Sequence, residues 1–365
     1  MNKRFEALDA FRGICALSVV IFHMKFLDSF TEITYFRGSA ILVDFFFVLS
    51  GFVLSHGYAF KVDSSFFSFM RSRFYRLYPL HFVMFLFFFV MQIVKLVAYK
   101  FGVTFNVAPF SGVNDISEII PNLLLLQSWT PFTEATSYNF PSWSISIEFY
   151  LYALLYVTIS FFKGIKLFIW ALISFFSFIL IYRQSDLLTA EVLRGLSCFF
   201  GGACTYMVYN KIYNYKPNFI FGTVFELCLL VLIVILVHST FSYREIIAPL
   251  LFIVTVLFFS YESGECSRLL KFKPFQYLGK LSYSLYMTHA GVLLCVGIFA
   301  IFLEKTFNYQ VRVKVNEDYY LSFGHAVVNN IVAIIIIIVV ILLSVFTHKY
   351  IEIKGVKLNK ANKFK

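Results

Sequence analysis

Apolar stretches of membrane length recur along the chain. A helix that crosses a bilayer needs about 20 mostly apolar residues. Stretches of that kind lie at residues 8–27, 38–57, 77–99, 141–162, 167–183, 189–209, 218–238, 244–260, 279–303 and 326–348. Segment 119–129 is apolar but too short to span, and Pro121 and Asn122 interrupt it, so we expect an interfacial or re-entrant piece. The pattern predicts an all-α, polytopic integral membrane protein with about ten transmembrane helices.

Composition agrees with this pattern. Of the 365 residues, 60% are hydrophobic and 14% are charged, whereas a soluble domain has about 25% charged residues. We expect one transmembrane domain over residues 1–365, with a motif-bearing core at about 8–352 and a basic tail at 353–365. The six cysteines show neither a C-x-x-C pair nor the spacing of a metal site. They are expected to be small buried thiols, with no bound metal.

The positive charge of the chain predicts its orientation. If the N-terminus is cytoplasmic and the segments alternate, the cytoplasmic loops hold about twice as many Lys and Arg residues as the outer loops, as the positive-inside bias requires. This predicts that both termini are cytoplasmic and that the protein lies in the cytoplasmic (inner) membrane. The net charge of +11 then needs no nucleic acid partner. The basic tail is interpreted as a topology signal that contacts anionic membrane lipids.

Arg12 and His23 are two ionisable residues inside the first apolar segment. Ionisable side chains at bilayer depth are costly and usually mark a functional site. The two residues are eleven positions apart, so a helix places them on one face, with about 16 Å of rise between them. The orientation puts Arg12 near the cytoplasmic face and His23 in the outer half.

Two carboxylates are expected at the depth of His23. The direction of the second and fourth segments places Asp44 and Glu148 in the outer half, together with Ser142 and Trp143. A carboxylate beside an imidazole can fix its tautomer and make it a general base. We therefore predict catalytic roles for His23, Asp44 and Glu148, and substrate binding by Ser142 and Trp143. The alternative is that such residues only tie helices together or line a water-filled cavity.

A basic cluster precedes the third segment. Arg73 and Arg76 are three positions apart, so they share a helix face, and they stand where that helix is expected to begin, which favours anions. Guanidinium groups bind phosphate through two parallel hydrogen bonds. We predict that Arg73 and Arg76 hold a phosphorylated donor with a long thin arm, which passes Arg12. The alternative is that these arginines only reflect the usual excess of Lys and Arg in cytoplasmic loops.

The ninth segment carries a polar edge. Tyr283, Tyr286 and His289 are spaced at i, i+3 and i+6, which turns them towards one side of a helix. We predict that Tyr283 and His289 contact the substrate. Hydrogen bonding between helices is the alternative for His289.

Six motifs in order resemble those of the acyltransferase-3 family, bacterial integral membrane O-acyltransferases that modify cell-surface glycans. The motifs are Leu8 to Gly13 with His23, Val43 to Phe52, Arg73 to Pro79, Trp143 to Tyr152, Leu281 to His289 and His348 to Glu352. They extend over nearly the whole chain. One departure is that Ile353 and Lys354 follow Glu352 where the family often has Pro two residues on, which leaves the role of the terminal motif open.

The resemblance implies a reaction. An acyl group, most often acetyl, would pass from cytoplasmic acyl-coenzyme A to a hydroxyl of a glycan or lipid-linked glycan at the outer face, such as an O-antigen, capsule or exopolysaccharide unit. By the same resemblance His23 would be the essential catalytic residue, Arg12 its motif partner, and Arg73 and Arg76 would serve the donor or its path. Acyl-coenzyme A would be a co-substrate, with no tightly bound cofactor. His23 is either a general base or an acyl carrier.

Two other functions use the same features. A transporter or flippase of a lipid-linked sugar could employ the intramembrane His and carboxylates as a proton relay. A polymerase of surface polysaccharide would usually carry a large outer loop, whereas the longest outer loop here, about 100–140, is modest.

Overall fold

The structure is a computed structural model, and it describes residues 3–60, 65–105, 107–316 and 318–361. Within these residues the chain is mostly helical. The α-helices are α1 (Glu6–Phe22), α2 (Thr34–Gly38), α3 (Leu42–Tyr58), α4 (Phe66–Lys100), α5 (Ile119–Leu123), α6 (Ser142–Phe161), α7 (Lys166–Tyr182), α8 (Ala190–Ile212), α9 (Phe219–His238), α10 (Arg244–Phe259), α11 (Glu265–Leu270), α12 (Lys273–Phe307), α13 (Ala326–Thr347) and α14 (Ile353–Ala361). Single 3₁₀ turns lie at Phe30–Glu32, Ser39–Ile41, Gly112–Asn114 and Ile116–Glu118, a π-helical turn at His348–Glu352, and two strands at Arg312–Val315 (β1) and Asp318–Leu321 (β2).

Several helices have the length and composition of membrane spans. In the described part of the chain six qualify: Thr34–Tyr58, Phe66–Lys100, Ser142–Phe161, Phe219–His238, Lys273–Phe307 and Ala326–Asn359. Helices α1, α7, α8 and α10 occupy the other four predicted positions but are shorter or less apolar. The chain is therefore a multi-pass membrane protein by these criteria, while the count of ten spans and the cytoplasmic termini remain predictions.

The mostly helical fold also contains one short hairpin, which the apolar pattern did not predict. Strands β1 and β2 form an antiparallel hairpin between α12 and α13. Valines alternate with other residues over 311–315, and this period favours a strand over a helix. Leu321 of the hairpin donates to Lys25 O at 2.9 Å and accepts from Leu27 N at 3.0 Å. The hairpin therefore packs on the segment that follows α1.

Segment 119–129 contains only the short helix α5 and turns. Its backbone oxygens accept hydrogen bonds from side chains of α6. Tyr150 Oη donates to Leu124 O at 2.8 Å, and Ser146 Oγ donates to Leu125 O at 2.7 Å. Irregular backbone at membrane depth requires such partners. The segment is too short to span, as expected, and its re-entrant position stays a prediction.

Glycines bring two pairs of helices into backbone contact. A Cβ atom on Gly13 of α1 would lie 2.5 Å from the nitrogen of Gly279 in α12. In the same way, a Cβ atom on Gly51 of α3 would meet the backbone oxygen of Phe199 in α8. Small residues at such crossings allow helices in membranes to approach closely. The first crossing presses Arg12 against α12, and the second presses α3 against α8.

Candidate active site

Three cavities between the helices lie in a row and share walls. The first, which we call the basic cavity, has a volume of about 530 Å³. Five cationic side chains line it: Arg12, Arg73, Arg76, Lys280 and Lys357. This is the end of the bundle at which α1 begins and α14 ends the described chain.

The second cavity, the middle cavity, is narrow, with a volume of about 70 Å³. It shares Arg12, Arg76 and Tyr283 with the basic cavity. Glu148 and Ser50 also line it. The middle cavity therefore continues the basic cavity into the bundle.

The third cavity, the histidine cavity, has a volume of about 220 Å³ and contains His23 in its wall. It shares Val43 and Tyr286 with the middle cavity. Phe140 and Trp143 line it as well. The three cavities thus lead from the cationic end of the bundle to His23.

Arg12 stands at the junction of the basic and middle cavities. Its Nε donates to Ser282 Oγ at 2.9 Å, and its Nη2 donates to Gly279 O at 3.3 Å. Asp9 lies 4.0 Å from the same Nη2. These bonds follow from the close crossing of α1 and α12, and they fix the guanidinium at the boundary.

Arg73 and Arg76 both line the basic cavity, so they share a face of α4 as predicted. They do not stand at the start of the helix, because α4 begins at Phe66, where Ser65 Oγ caps it by accepting from Ser68 N. The expectation that a helix N-terminus aids anion binding there is therefore wrong. The Nε of Arg73 is buried without a partner among the described residues.

Glu148 lies in the middle cavity rather than beside His23. It accepts hydrogen bonds from Ser50 Oγ and Tyr152 Oη. It follows Ser142 by six positions, which is about 9 Å along a helix. This descent along α6 brings the carboxylate to the level of Arg12.

Asp44 is fully buried and pairs with Arg194 of α8. Its Oδ1 accepts from Arg194 Nε at 3.1 Å and from Arg194 Nη2 at 2.9 Å. Because Asp44 and Glu148 are bonded elsewhere, the predicted contact of these carboxylates with His23 is corrected. A catalytic role for either remains a prediction.

His23 follows the last residue of α1 and keeps helical backbone angles. Its ring lies 4.5 Å from the ring of Phe140 and 5.2 Å from that of His289, measured between centroids. No carboxylate contacts the imidazole within the described ranges. Arg37, which the sequence interpretation missed, donates to Ile21 O at 2.7 Å and caps the carbonyl end of α1.

His289 is fully buried next to His23. Its Nδ1 lies 3.3 Å from Leu285 O, one turn earlier in α12. Its Nε2 has no partner in the part of the chain that the structure describes. The structure therefore brings the predicted His23 and His289 together.

The other residues that were predicted to bind the substrate do not lie together in the structure. Trp143 lines the histidine cavity, and the guanidinium of Arg194 lies 5.4 Å from its ring centre. Tyr283 lines the basic and middle cavities and donates to Leu77 O at 2.6 Å. Ser142 is fully buried, accepts from Gln127 Nε2 at 3.2 Å and lines none of the three cavities. It therefore forms a contact between segments away from these cavities, and its role in substrate binding stays a prediction.

The loop before α6 holds Phe140 against His23. Tyr138 in this loop is buried, and its backbone nitrogen donates to Asn114 Oδ1 at 2.8 Å. Burial raises the pKa of Tyr138 to about 12. The phenol therefore keeps its proton and donates to Asp115 O at 3.2 Å.

The terminal motif closes the basic cavity. Glu352 accepts from Ser284 Oγ and lies 3.1 Å from His348 Nδ1, and both His348 and Glu352 line the cavity. They lie in a π-helical turn, a feature that often occurs at functional sites. Lys357 of α14 lines the cavity too, so part of the basic tail belongs to this wall. Residues 362–365 of the tail lie outside the described residues.

Arg194 is a second residue that sequence reasoning missed. It lies inside the predicted span 189–209, so the argument that singled out Arg12 applied equally to it. Within the described residues, no group of three or more His, Cys, Asp and Glu side chains could hold a metal ion.

The comparisons with known proteins decide the family. The model of an acyltransferase domain, acyltransferase-3, matches residues 5–349. The chain belongs to this family. Acyltransferase MdmB of Streptomyces mycarofaciens is 35% identical over 159 residues, which is 41% of this chain and 38% of that protein. Protein 2 in picA locus of Rhizobium radiobacter is 39% identical over 82 residues, which is 22% of this chain and 41% of that protein.

The matched segments therefore span about two-fifths of each curated relative. No solved structure gives a significant match. The predicted family is confirmed, and the described helices give the chain membrane character. Family membership favours a transferase over the transporter and polymerase alternatives.

Proposed function

We propose that the protein transfers an acyl group, acetyl in the simplest case, from cytoplasmic acyl-coenzyme A to a hydroxyl of a cell-surface glycan at the outer face of the inner membrane. The row of cavities from Arg73 to His23 carries this proposal. It joins a cationic entrance to a histidine at the opposite end of α1.

The basic cavity suits the phosphates of coenzyme A. Its five cationic side chains have few carboxylates facing them, since Glu352 is the acidic residue in the same wall. Arginine binds phosphate through charge-assisted and often paired hydrogen bonds. The unpartnered Nε of Arg73 is a donor left free for such a ligand.

The narrow middle cavity suits the thin pantetheine arm better than a nucleotide. At about 70 Å³ it admits a chain rather than a ring system. Arg12, Ser50 and Glu148 offer polar atoms to the amide groups of such an arm. Along α1 the arm would advance about 16 Å between Arg12 and His23.

His23 would act as the general base in a direct transfer. The hydroxyl oxygen of the acceptor bonds to the acyl carbon while its proton passes to the imidazole. The carbon–sulfur bond breaks, and the thiolate leaves and takes a proton back from His23 as coenzyme A thiol. No covalent step on the enzyme is needed. The expected contribution of such a base is about 100- to 10,000-fold in rate.

Mass spectrometry of surface glycan tests the proposed function. Glycan from a strain that lacks the gene should lose the mass of one acyl group per modified sugar. The wild-type gene should restore it, and a His23→Ala gene expressed at the same protein level should not. Unchanged glycan in the deletion strain would contradict the proposal.

A further inference from the structure

A fourth cavity lies beside the histidine cavity. We call it the polar cavity; its volume is about 350 Å³, within the range of about 300–1,000 Å³ that is usual for ligand sites. It forms where α7 ends and where α8 and α10 begin. Gln184, Ser185, Asp186 and Glu245 contribute polar side chains to its wall.

Arg194 connects the polar cavity to His23. Among the described residues, it is the one side chain that lines both the polar cavity and the histidine cavity. Its guanidinium also covers the ring of Trp143 in the histidine cavity. A molecule that filled the polar cavity would therefore touch a residue in the same chamber as the catalytic imidazole.

The guanidinium is held in place by a buried carboxylate. Both hydrogen bonds from Arg194 go to one oxygen of Asp44, which is 0% exposed. Arginine has five N–H donors, so three remain, and the side chain is 22% exposed. The pair thus presents a fixed fork of donors to the two cavities.

We propose that the polar cavity is the acceptor subsite and binds a neutral, hydroxyl-rich sugar, with Arg194 positioning it for His23. This inference rests on the proposed function. A sugar hydroxyl can donate to a carboxylate, accept from a guanidinium group, and do either with an amide. The polar cavity has all three groups in its wall, from Asp186 and Glu245, Gln184, and Arg194.

Charge selects a neutral sugar over an anionic one. Asp186 and Glu245 line the polar cavity, and Glu191 lines the histidine cavity. Arg194 is the one Arg or Lys in these two linings, and Asp44 already neutralises it. Because the carboxylates are in excess, a phosphate or uronate in the subsite would meet repulsion.

Filling the cavity is the first test. Ala190 lines the polar cavity at the start of α8, whereas the nearby Leu187 is exposed and does not line it. Purified Ala190→Trp and Leu187→Trp proteins are assayed with labelled acetyl-coenzyme A. The acceptor is unacylated surface glycan extracted from a deletion strain. We expect Ala190→Trp to raise the acceptor KM about tenfold at an unchanged donor KM, and Leu187→Trp to change neither.

Arg194→Lys is the second test, because it keeps the charge that Asp44 requires but loses the planar fork. We expect a higher acceptor KM and a lower kcat at an unchanged donor KM and an unchanged unfolding temperature. A purely structural role would instead lower the unfolding temperature and affect both substrates. Wild-type acceptor KM values in Ala190→Trp and Arg194→Lys would overturn the subsite while acyl transfer stood. No transfer by the wild type would overturn the proposed function itself, and the inference with it.

Discussion

The basic cavity and the histidine cavity are opposite kinds of site in one row. The basic cavity is wide and has five cationic side chains in its wall. The histidine cavity is smaller and mostly apolar, and its one arginine is already paired with Asp44. On the proposed function, charge would capture the phosphorylated donor, while an apolar chamber would exclude water that competes with the acceptor. The difference would then separate binding of the donor from the chemistry.

The two cavities are also built differently. The basic cavity takes most of its side chains from α4, α12 and the end of the chain, with Arg12 added from the first half of α1. The histidine cavity lies where α1 ends and loop residue Phe140 covers the imidazole. A change in one cavity should therefore leave the function of the other intact.

Removal of the imidazole should have the largest effect. His23→Ala should lower kcat about 100- to 10,000-fold, because a general base is lost, while the donor KM stays near the wild-type value. The assay measures transfer from labelled acetyl-coenzyme A to the glycan of a deletion strain. His238→Ala, at the exposed end of α9 and outside the cavities, is the control. A His23→Ala protein with wild-type kcat would contradict the assignment of the chemistry to the histidine cavity.

Removal of one guanidinium from the basic cavity should affect the donor KM, whereas removal of the imidazole affects kcat. Arg76→Gln should raise the donor KM about 10- to 100-fold, the cost of a lost hydrogen bond to a charged group, at an unchanged acceptor KM. Arg71→Gln on the same helix, which lines none of the cavities, should not do so. Initial rates at varied acetyl-coenzyme A decide between them. If Arg76→Gln altered only the acceptor KM, the donor would not bind in the basic cavity.

The crossing of α1 and α12 holds Arg12 at the boundary between the basic cavity and the middle cavity. A methyl group at this crossing should disturb it. Gly13→Ala should cost about 1–3 kcal/mol of stability through overpacking, seen as a lower unfolding temperature in detergent. It should also lower activity, since Arg12 shifts. Gly297→Ala, where a Cβ atom meets nothing within 4 Å, should leave both unchanged. Equal unfolding temperatures for the two variants would contradict the close crossing.

The tail should make the smallest contribution. Lys357 is exposed at the rim of the basic cavity, so Lys357→Gln should raise the donor KM about two- to fivefold, in keeping with the roughly 0–1 kcal/mol of exposed charge pairs. Lys354→Gln, outside the cavity on the same helix, is the matched control. The effect should vanish at high salt. An identical rise in both variants would assign the tail a general electrostatic role instead.

The sequence predicted local features well. The apolar stretches marked every long helix to within six residues at either end, except that α4 begins eleven residues before the predicted 77. The spacing of Arg12 and His23 predicts one face, because the helical repeat alone determines it, and both residues line cavities of the same row. The motifs then indicated the family, which the comparisons confirm.

Contacts between distant segments could not be predicted in this way. Asp44 and Arg194 are 150 positions apart, and nothing local indicates that α3 and α8 pack closely enough to pair them. The direction of the segments placed Glu148 in the outer half with His23, whereas the six positions from Ser142 carry it about 9 Å along α6, to the level of Arg12. The partner of Glu148 on α3, Ser50, became apparent only in the folded bundle.

Sided membrane vesicles test the central claim that the donor enters at the basic cavity and the acyl group leaves at His23. Inside-out and right-side-out vesicles containing the protein receive membrane-impermeant labelled acetyl-coenzyme A on the outside and glycan acceptor in the lumen. We predict labelled glycan in the inside-out vesicles, where the basic cavity faces the donor, and none in the right-side-out vesicles. Labelling that is equal in both, or confined to the right-side-out vesicles, would contradict the account.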